Sequence, residues 1–180
     1  KLLPTIKNLI ISGTPRRSHG PSGLTYYNSV IAMNKTAKIL AHYDKTHLVP
    51  FGEYLPFRNL LTIVGLEKLA VGPTDYSFGK GPKIIRLPGL PPVRILICYE
   101  ILFPSEIASS ERPAWLLNLS NDAWFGKKTG PYQHFEIARV RAVEFGIPVV
   151  RATNTGISAI ITPLGQIKSQ LGMGVSGFIE

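Results

Sequence analysis

The sequence is poor in cysteine and has no long apolar run. Cys98 is the only cysteine among 180 residues, so the chain forms no internal disulfide and the redox compartment cannot be read from it. The long stretch 152–167 has no charged residue, but it contains Thr, Asn, Ser, Gly and Pro throughout. A membrane-spanning helix needs about 20 mainly apolar residues. The sequence therefore predicts neither a disulfide framework nor a membrane span in these residues, and no cleavage-site pattern of a signal peptide follows Pro4.

Acidic residues are also scarce. The chain has 11 Asp and Glu against 20 Lys and Arg, a net charge of +9, and its first acidic residue is Asp44. Such an excess favours an acidic partner, either nucleic acid or an anionic membrane surface. The basic pairs at 16–17 and 127–128 are isolated, and no nucleic-acid-binding motif accompanies them. We predict no nucleic-acid partner, and a solvated basic surface is the simplest explanation of the charge.

The apolar pattern predicts one α/β domain over residues 1–180. Apolar residues make up 44% of the chain, and 17 glycines and 15 prolines supply many turns. Short strand-like runs alternate with turn signals, and three segments have helical character. The predicted strands are 9–12, 25–33, 37–42, 84–87, 93–97, 115–119, 149–153 and 157–162, and the predicted helices are 60–70, 104–110 and 131–145. Hairpin pairs mixed with helices indicate an α/β sandwich, not an all-β barrel.

Cys98 ends the apolar run 93–97 and precedes a helix start at Pro104. A thiol at the end of a strand, where the chain turns into a helix, is well placed to act as a nucleophile. The alternative is a small buried apolar residue, which is how free cysteine usually behaves.

The segment 43–56 is neither helical nor alternating, yet it contains Lys45, Glu53, two prolines and a glycine. Irregular loops of this composition often form the wall of a site. An ammonium group beside a thiolate stabilises it and can also stabilise a tetrahedral oxyanion. Glu53 would either orient Lys45 or act as a base. The alternative is an ordinary surface pair, worth under about 1 kcal/mol.

The segment 118–126 follows a predicted strand, so we expect it at the same sheet edge as Cys98. Its Asn and Asp side chains are suited to form hydrogen bonds with the backbone groups of a turn. Trp124 and Phe125 lie side by side in this polar loop. They would either wall an apolar substrate pocket or fill the core.

Together the three segments resemble the carbon-nitrogen hydrolase (nitrilase) superfamily. That superfamily has an αββα sandwich and a Glu-Lys-Cys triad, and Lys45 and Cys98 match its lysine and cysteine. The sequences HLVPFGEYLP, ICYEILFP and the long segment from Asn118 to Ile167 are most similar to the extramembrane domain of the apolipoprotein N-acyltransferases. The resemblance covers about residues 26–170.

The resemblance implies an acyl transfer with two catalytic residues and several supporting ones. A phospholipid would donate its acyl chain through a cysteine thioester to the N-terminal diacylglyceryl-cysteine of an apolipoprotein. This chemistry needs no cofactor and no metal, and it takes place on the periplasmic face of a bacterial inner membrane. The implied residues are Cys98 and Lys45 as catalytic, Glu53, Tyr99 and Glu100 as supporting, and Trp124 with Phe125 at the substrate pocket.

The sequence departs from the family pattern in one informative way. The triad's general-base glutamate belongs to a Trp-Pro-Glu-like segment upstream of strand 9–12, whereas the first acidic residue here is Asp44. We expect a fragment truncated at both ends, without the family's membrane-spanning helices, in which residues 178–180 lie in mid-strand. A soluble amidase of the same superfamily, or a non-catalytic binding domain, are the alternative functions.

Overall fold

Two β-sheets and a long helix make up the described part of the chain. The computed structural model describes residues 9–20, 23–57, 75–108 and 111–180. The predicted helix at 60–70 lies outside these residues. Within them, no helix combines the length and the apolar character needed to cross a membrane.

The first sheet is antiparallel and has three strands in the order β1-β2-β3. The strands are β1 (Leu9–Gly20), β2 (Gly23–Asn34) and β3 (Ile39–Asp44). The predicted end of β1 at Ser12 is wrong, because β1 pairs with β2 along its whole length. The predicted start of β3 at Ala37 is also wrong. Ala37 has φ 59° in the turn between the strands, a backbone conformation that strands do not use.

The second sheet is mixed and has six strands in sequence order. They are β4 (Ile84–Ile85), β5 (Val93–Ile97), β6 (Trp115–Ser120), β7 (Val149–Thr153), β8 (Ser158–Ile161) and β9 (Ile167–Leu171). Strands β5, β6 and β7 are parallel, and the other neighbours are antiparallel. The prediction missed β9. It also placed residues 178–180 in a strand, and this is wrong.

One predicted helix is confirmed and another is wrong. Helix α1 (Thr129–Phe145) begins two residues before the predicted start and ends at Gly146, whose φ is 61°. The predicted helix at 104–110 is only the short 3₁₀ helix Pro104–Glu106. Arg94 Nη1 donates to the carbonyl of Glu106 at 2.9 Å.

The six-stranded sheet is covered on both faces at β5, where all five residues are buried, including Arg94 within the otherwise apolar run. Leu96 packs toward α1 with Leu116, Phe135 and Ala138. Ile95 packs toward the three-stranded sheet with Val30 and other apolar residues. Helix, large sheet and small sheet therefore form three successive layers of an α/β sandwich, as predicted.

Candidate active site

The candidate site lies at the carboxyl edge of the parallel strands. The register pairs Ile97 of β5 with Leu119 of β6, and Leu119 with Ala152 of β7. The residues that follow these strands therefore meet at one edge of the sheet. This confirms the prediction that segment 118–126 shares the sheet edge of Cys98, and such edges are where ligands bind in open α/β sheets.

Cys98 is partly exposed and has a strained backbone. Its φ is 51°, in the left-handed region, at the start of the 3₁₀ helix Cys98–Leu102. This conformation costs a non-glycine residue about 1–2 kcal/mol. Its carbonyl oxygen faces two side chains, His134 Nε2 at 3.2 Å and Asn118 Nδ2 at 3.4 Å. The conformation of the peptide after Cys98 is thus held from the protein interior.

Lys45 and Glu53 form a buried ion pair. Lys45 Nζ donates to Glu53 Oε2 at 2.7 Å, and the two side chains are 1% and 13% exposed. Val49 N also donates to Glu53 Oε2, and Asn28 Nδ2 donates to Oε1. The interpretation of this pair as an ordinary surface contact is wrong, since burial and the extra donors fix both side chains.

Residues 75–79 pack against this loop. Tyr76 N donates to the Glu53 carbonyl at 2.9 Å, and Gly79 N donates to the Lys45 carbonyl at 2.8 Å. A Cβ at Gly79 would lie 2.1 Å from the carbonyl oxygen of Asp44. Only glycine permits this approach, so the backbone around Lys45 is enclosed on this side.

Glu100 connects the lysine loop to the cysteine. Its carboxylate is fully buried and accepts from the backbone N–H groups of Ile97, Thr46 and His47. The hydroxyls of Tyr43 and Thr46 also donate to it. Burial raises the pKa of the Glu100 carboxyl, although these donors work in the opposite direction. One carboxylate therefore ties the residue before Cys98 to the two residues after Lys45.

A second buried cluster lies on the other side of Cys98 and was not predicted. His134 Nδ1 is 3.0 Å from Asp122 Oδ1, and Arg151 Nη2 donates to Asp122 Oδ2 at 2.6 Å. Burial acts to raise the pKa of Asp122, but its hydrogen bond with His134 and the charge of Arg151 hold it below its usual value. Burial lowers the pKa of Arg151, and Asp122 offsets only part of that effect.

The helical spacing in the sequence contained a signal for this cluster. His134 falls between Pro131 and Ala138 on the stripe of α1 that the structure buries. A histidine on such a stripe needs buried polar partners. The sequence alone does not reveal that Asp122 and Arg151 supply them.

The aromatic residues near the site divide into exposed and packed ones. Trp124 is 61% exposed, so the alternative interpretation, in which it fills the core, is wrong. Phe125 is half-buried, with its ring 4.8 Å from that of His134. On the other side, Tyr99 makes edge contacts with Phe103 and His47, whose rings stack at 3.7 Å. Phe125 thus packs on the histidine that contacts the Cys98 carbonyl, and Tyr99 is the residue that follows Cys98.

The described ranges bring together no group of three or more His, Cys, Asp or Glu side chains with the geometry of a metal site. The arrangement instead offers a thiol, a buried ammonium and buried carboxylates. This set suits nucleophilic acyl chemistry.

Comparison with known proteins places the chain among relatives of one family. The carbon-nitrogen hydrolase family model matches residues 2–179. Apolipoprotein N-acyltransferases of Rhodopseudomonas palustris and Bradyrhizobium diazoefficiens are 46% and 45% identical over 184 aligned positions. These alignments include 100% of this chain and 34% of either relative, so the chain spans about a third of the length of the curated relatives it matches.

Solved structures share the fold. An amidase from Nesterenkonia sp. has a TM-score of 0.60 at 22% identity, covering 92% of this chain and 57% of the amidase. A CN-hydrolase superfamily protein from Xanthomonas campestris has a TM-score of 0.61 at 19% identity, covering 91% of this chain and 59% of that protein. Identities this low bear on architecture alone, and they agree with the predicted nitrilase-like sandwich.

Proposed function

The chain belongs to the carbon-nitrogen hydrolase family, and from that membership we propose that it is the acyl-transferring part of an apolipoprotein N-acyltransferase. The observation that carries the proposal is sequence identity. The chain is about twice as identical to the proteins of that name as to the amidase that shares its fold. The soluble amidase and the non-catalytic binding domain are therefore the weaker candidates.

The proposed reaction has two steps. Cys98 Sγ attacks the acyl carbonyl carbon of a phospholipid ester. A C–S bond forms, the ester C–O bond breaks, and the lysophospholipid leaves as an alcohol after taking up a proton. The α-amino group of a diacylglyceryl-cysteine then attacks the thioester. A C–N bond forms, the C–S bond breaks, and the Cys98 thiol is restored as the amine loses a proton.

In this proposal Lys45 stabilises the oxyanion that forms at the acyl carbonyl. Glu53 is a positioning residue for Lys45, since both of its carboxylate oxygens already accept hydrogen bonds. Glu100 positions the loop and the strand relative to each other in the same way. Carboxylates with all their oxygens engaged are poor proton shuttles, so we favour the orienting role of Glu53 over the base role.

The remaining elements of the proposal concern substrate and place. Trp124 and Phe125 would border the acyl chain, with Tyr99 on the opposite side of the thiol. The acyl donor would be a phospholipid, the acceptor a diacylated apolipoprotein, and the site of action the periplasmic face of a bacterial inner membrane. The charge of +9 would suit anionic lipid.

The test is a thioester at Cys98. The complete gene product is incubated with phospholipid vesicles and analysed by mass spectrometry for a hydroxylamine-labile acyl group. We expect the group on the wild type and none on Cys98→Ser. Adding a diacylated lipopeptide should then give a triacylated product. Hydrolysis of small amides without acyl transfer to the lipopeptide would instead select the amidase.

Replacing Lys45 tests the oxyanion role. Lys45→Met should slow the acylation of Cys98 by about 10²–10³-fold, the usual effect of removing an oxyanion donor. The control is Lys35→Met in the exposed turn after β2, which should leave the rate unchanged. Rates are measured by quenched-flow mass spectrometry and normalised to folded protein. A Lys45→Met protein with normal acylation but a much lower melting temperature would make Lys45 a structural residue.

A further inference from the structure

We propose that Asp122, His134 and Arg151 form a positioning cluster that holds the peptide group between Cys98 and Tyr99 in the orientation that acylation requires. The inference rests on the proposed role of Cys98 as the nucleophile. It assigns a function to three buried residues that lie outside the Lys45 and Glu53 side of the site.

His134 contacts the Cys98 carbonyl directly. A carbonyl oxygen only accepts, so the hydrogen bond at 3.2 Å requires a hydrogen on His134 Nε2. His134 Nδ1 lies 3.0 Å from Asp122 Oδ1 and 3.1 Å from Arg151 Nη2, so it either accepts from Arg151 or carries a second hydrogen for Asp122. Asn118 Nδ2 is a second donor at 3.4 Å. Because the peptide is planar and trans, fixing this oxygen also fixes the opposite direction of the Tyr99 N–H. The donors thus set the backbone on the reactive side of Cys98.

The backbone of Cys98 is strained. Its φ of 51° is unfavourable for a residue with a side chain, and surrounding contacts must stabilise it. Before Cys98, Ile97 N donates to Glu100 Oε2 at 2.7 Å. After it, His134 and Asn118 hold the carbonyl. The strained residue is therefore held at both ends.

Two charged side chains are buried behind His134. Asp122 and Arg151 are both fully buried, and Asp122 also accepts from Ser120 Oγ at 2.6 Å. Arg151 donates to the Asn118 side chain and to the carbonyl of Ile157. A buried ion pair seldom gives more stability than apolar residues of the same volume. The cluster is thus better explained by the precise placement of His134 and Asn118 than by stability.

The backbone is shaped around this cluster. A Cβ on Gly156 would lie 2.0 Å from Asp122 Oδ2, so only glycine leaves room for the carboxylate. Asp122 and Arg151 come from the segments that follow β6 and form β7, and His134 comes from α1. Three elements therefore supply the cluster, and His134 connects it to the Cys98 carbonyl.

Two substitutions of His134 separate positioning from structure. The side-chain amide of Asn reaches about as far as imidazole Nδ1, and that of Gln about as far as Nε2. His134→Asn keeps the contact with Asp122 and loses the bond to the Cys98 carbonyl. His134→Gln keeps the bond to the Cys98 carbonyl and loses the contact with Asp122. Each variant thus keeps the contact that the other loses.

The experiment uses the complete gene product in phospholipid vesicles, with thioester formation followed by mass spectrometry and stability by thermal melting. We expect His134→Asn to lower kcat by about 10–100-fold at unchanged KM, the size of effect that a small misplacement of a reacting group produces. His134→Gln should restore most of the rate while melting at a lower temperature than His134→Asn. Activity and stability would then run in opposite order.

The positioning role is wrong if both variants lose activity only in proportion to the folded protein that they lose, so that each folded molecule reacts at the wild-type rate. Alkylation of Cys98 by iodoacetamide is a second readout that needs no lipid. If the wild type forms no thioester, the proposed function fails, and alkylation decides the positioning role alone. A change of several-fold in His134→Asn but not in His134→Gln supports it, and equal rates in all three proteins overturn it.

Discussion

The Glu100 carboxylate is surrounded by donors from two segments that are distant in sequence. It accepts from Thr46 and His47 after β3 and from Ile97 at the end of β5. Charged acceptors suit such a site, because each buried N–H needs a partner. The residue determines the distance between the lysine loop and Cys98 without needing to touch a substrate.

An amide at this position should fail. In Glu100→Gln the NH₂ group would face a donor, leaving at least one buried N–H unpaired, which costs about 1–3 kcal/mol. We expect a corresponding fall in the free energy of unfolding, measured by urea titration. Glu136→Gln on the exposed face of α1 is the control and should change it by less than about 0.5 kcal/mol. Equal stability of the two variants would contradict the structural role of the Glu100 charge.

Asp122 should make stability depend on acid pH. Its pKa in the folded chain lies below the ordinary value of 3.8, despite the opposing effect of burial. A lowered carboxyl pKa stabilises the fold above the ordinary value, and this contribution is lost as the pH falls through the folded value. Asp122→Asn should cost about 3–5 kcal/mol at neutral pH by leaving Arg151 unpaired. Urea midpoints measured from pH 6 to pH 2 should differ by a constant amount above about pH 4 and by less below it, as Asp122 of the wild type becomes protonated. A gap that stays constant down to pH 2 would show that Asp122 does not titrate with the fold.

At the scale of elements, the loop after β3 depends on the segment that covers it. Gly79 lies against the backbone of Asp44 and bonds to that of Lys45. Gly79→Ala must displace one of the two backbones, so we expect lower acylation activity and a lower melting temperature. Gly13→Ala is the matched control, since the nearest atom to its Cβ would be 4.0 Å away. A Gly79→Ala protein indistinguishable from Gly13→Ala would show that this segment leaves the loop in solution.

The sequence contains the pattern of some elements and not of others. The mostly apolar run before Cys98 predicts β5 because a strand buried on both faces has few polar positions, and the structure buries its one polar residue, Arg94. Residues 167–171 lie at the edge of the sheet and have three polar residues between two apolar ones, so they lack the alternation that would distinguish a strand from a loop. The pattern at 104–110 predicts a helix where the structure has only the 3₁₀ helix Pro104–Glu106, and the bond from Arg94 to the Glu106 carbonyl is a tertiary contact that a local pattern does not show.

The site divides in the same way. Lys45, Glu53 and Cys98 stand out as residue types in unusual segments, so the sequence identifies them as candidates. Their connection through Glu100 depends on the packing of two sheets. The cluster of Asp122 with His134 likewise depends on which polar residues the fold buries together, and local periodicity does not specify this.

At the scale of the whole molecule, β5 is shared by two cores. Ile95 faces the small sheet and Leu96 faces α1, and both are fully buried. Ile95→Ala and Leu96→Ala should each cost about 2–5 kcal/mol. We expect both to lower the same cooperative transition, observed by circular dichroism and by tryptophan fluorescence. Leu164→Ala, at a side chain that is 77% exposed, is the control. Separate transitions for the two core variants would show that the layers unfold independently.

The five hydrogen bonds to Glu100 come from residues of both sheets or of the segments next to them, so the complete set forms only late in folding. Lys45 follows a strand of the small sheet and Cys98 follows a strand of the large one, so neither sheet alone brings them together. In the proposed reaction, a newly made chain with only one sheet formed therefore lacks the arrangement of Cys98 with Lys45 that acylation uses. We expect acylation to begin only after the two sheets have docked, so that a chain still being synthesised does not acylate itself.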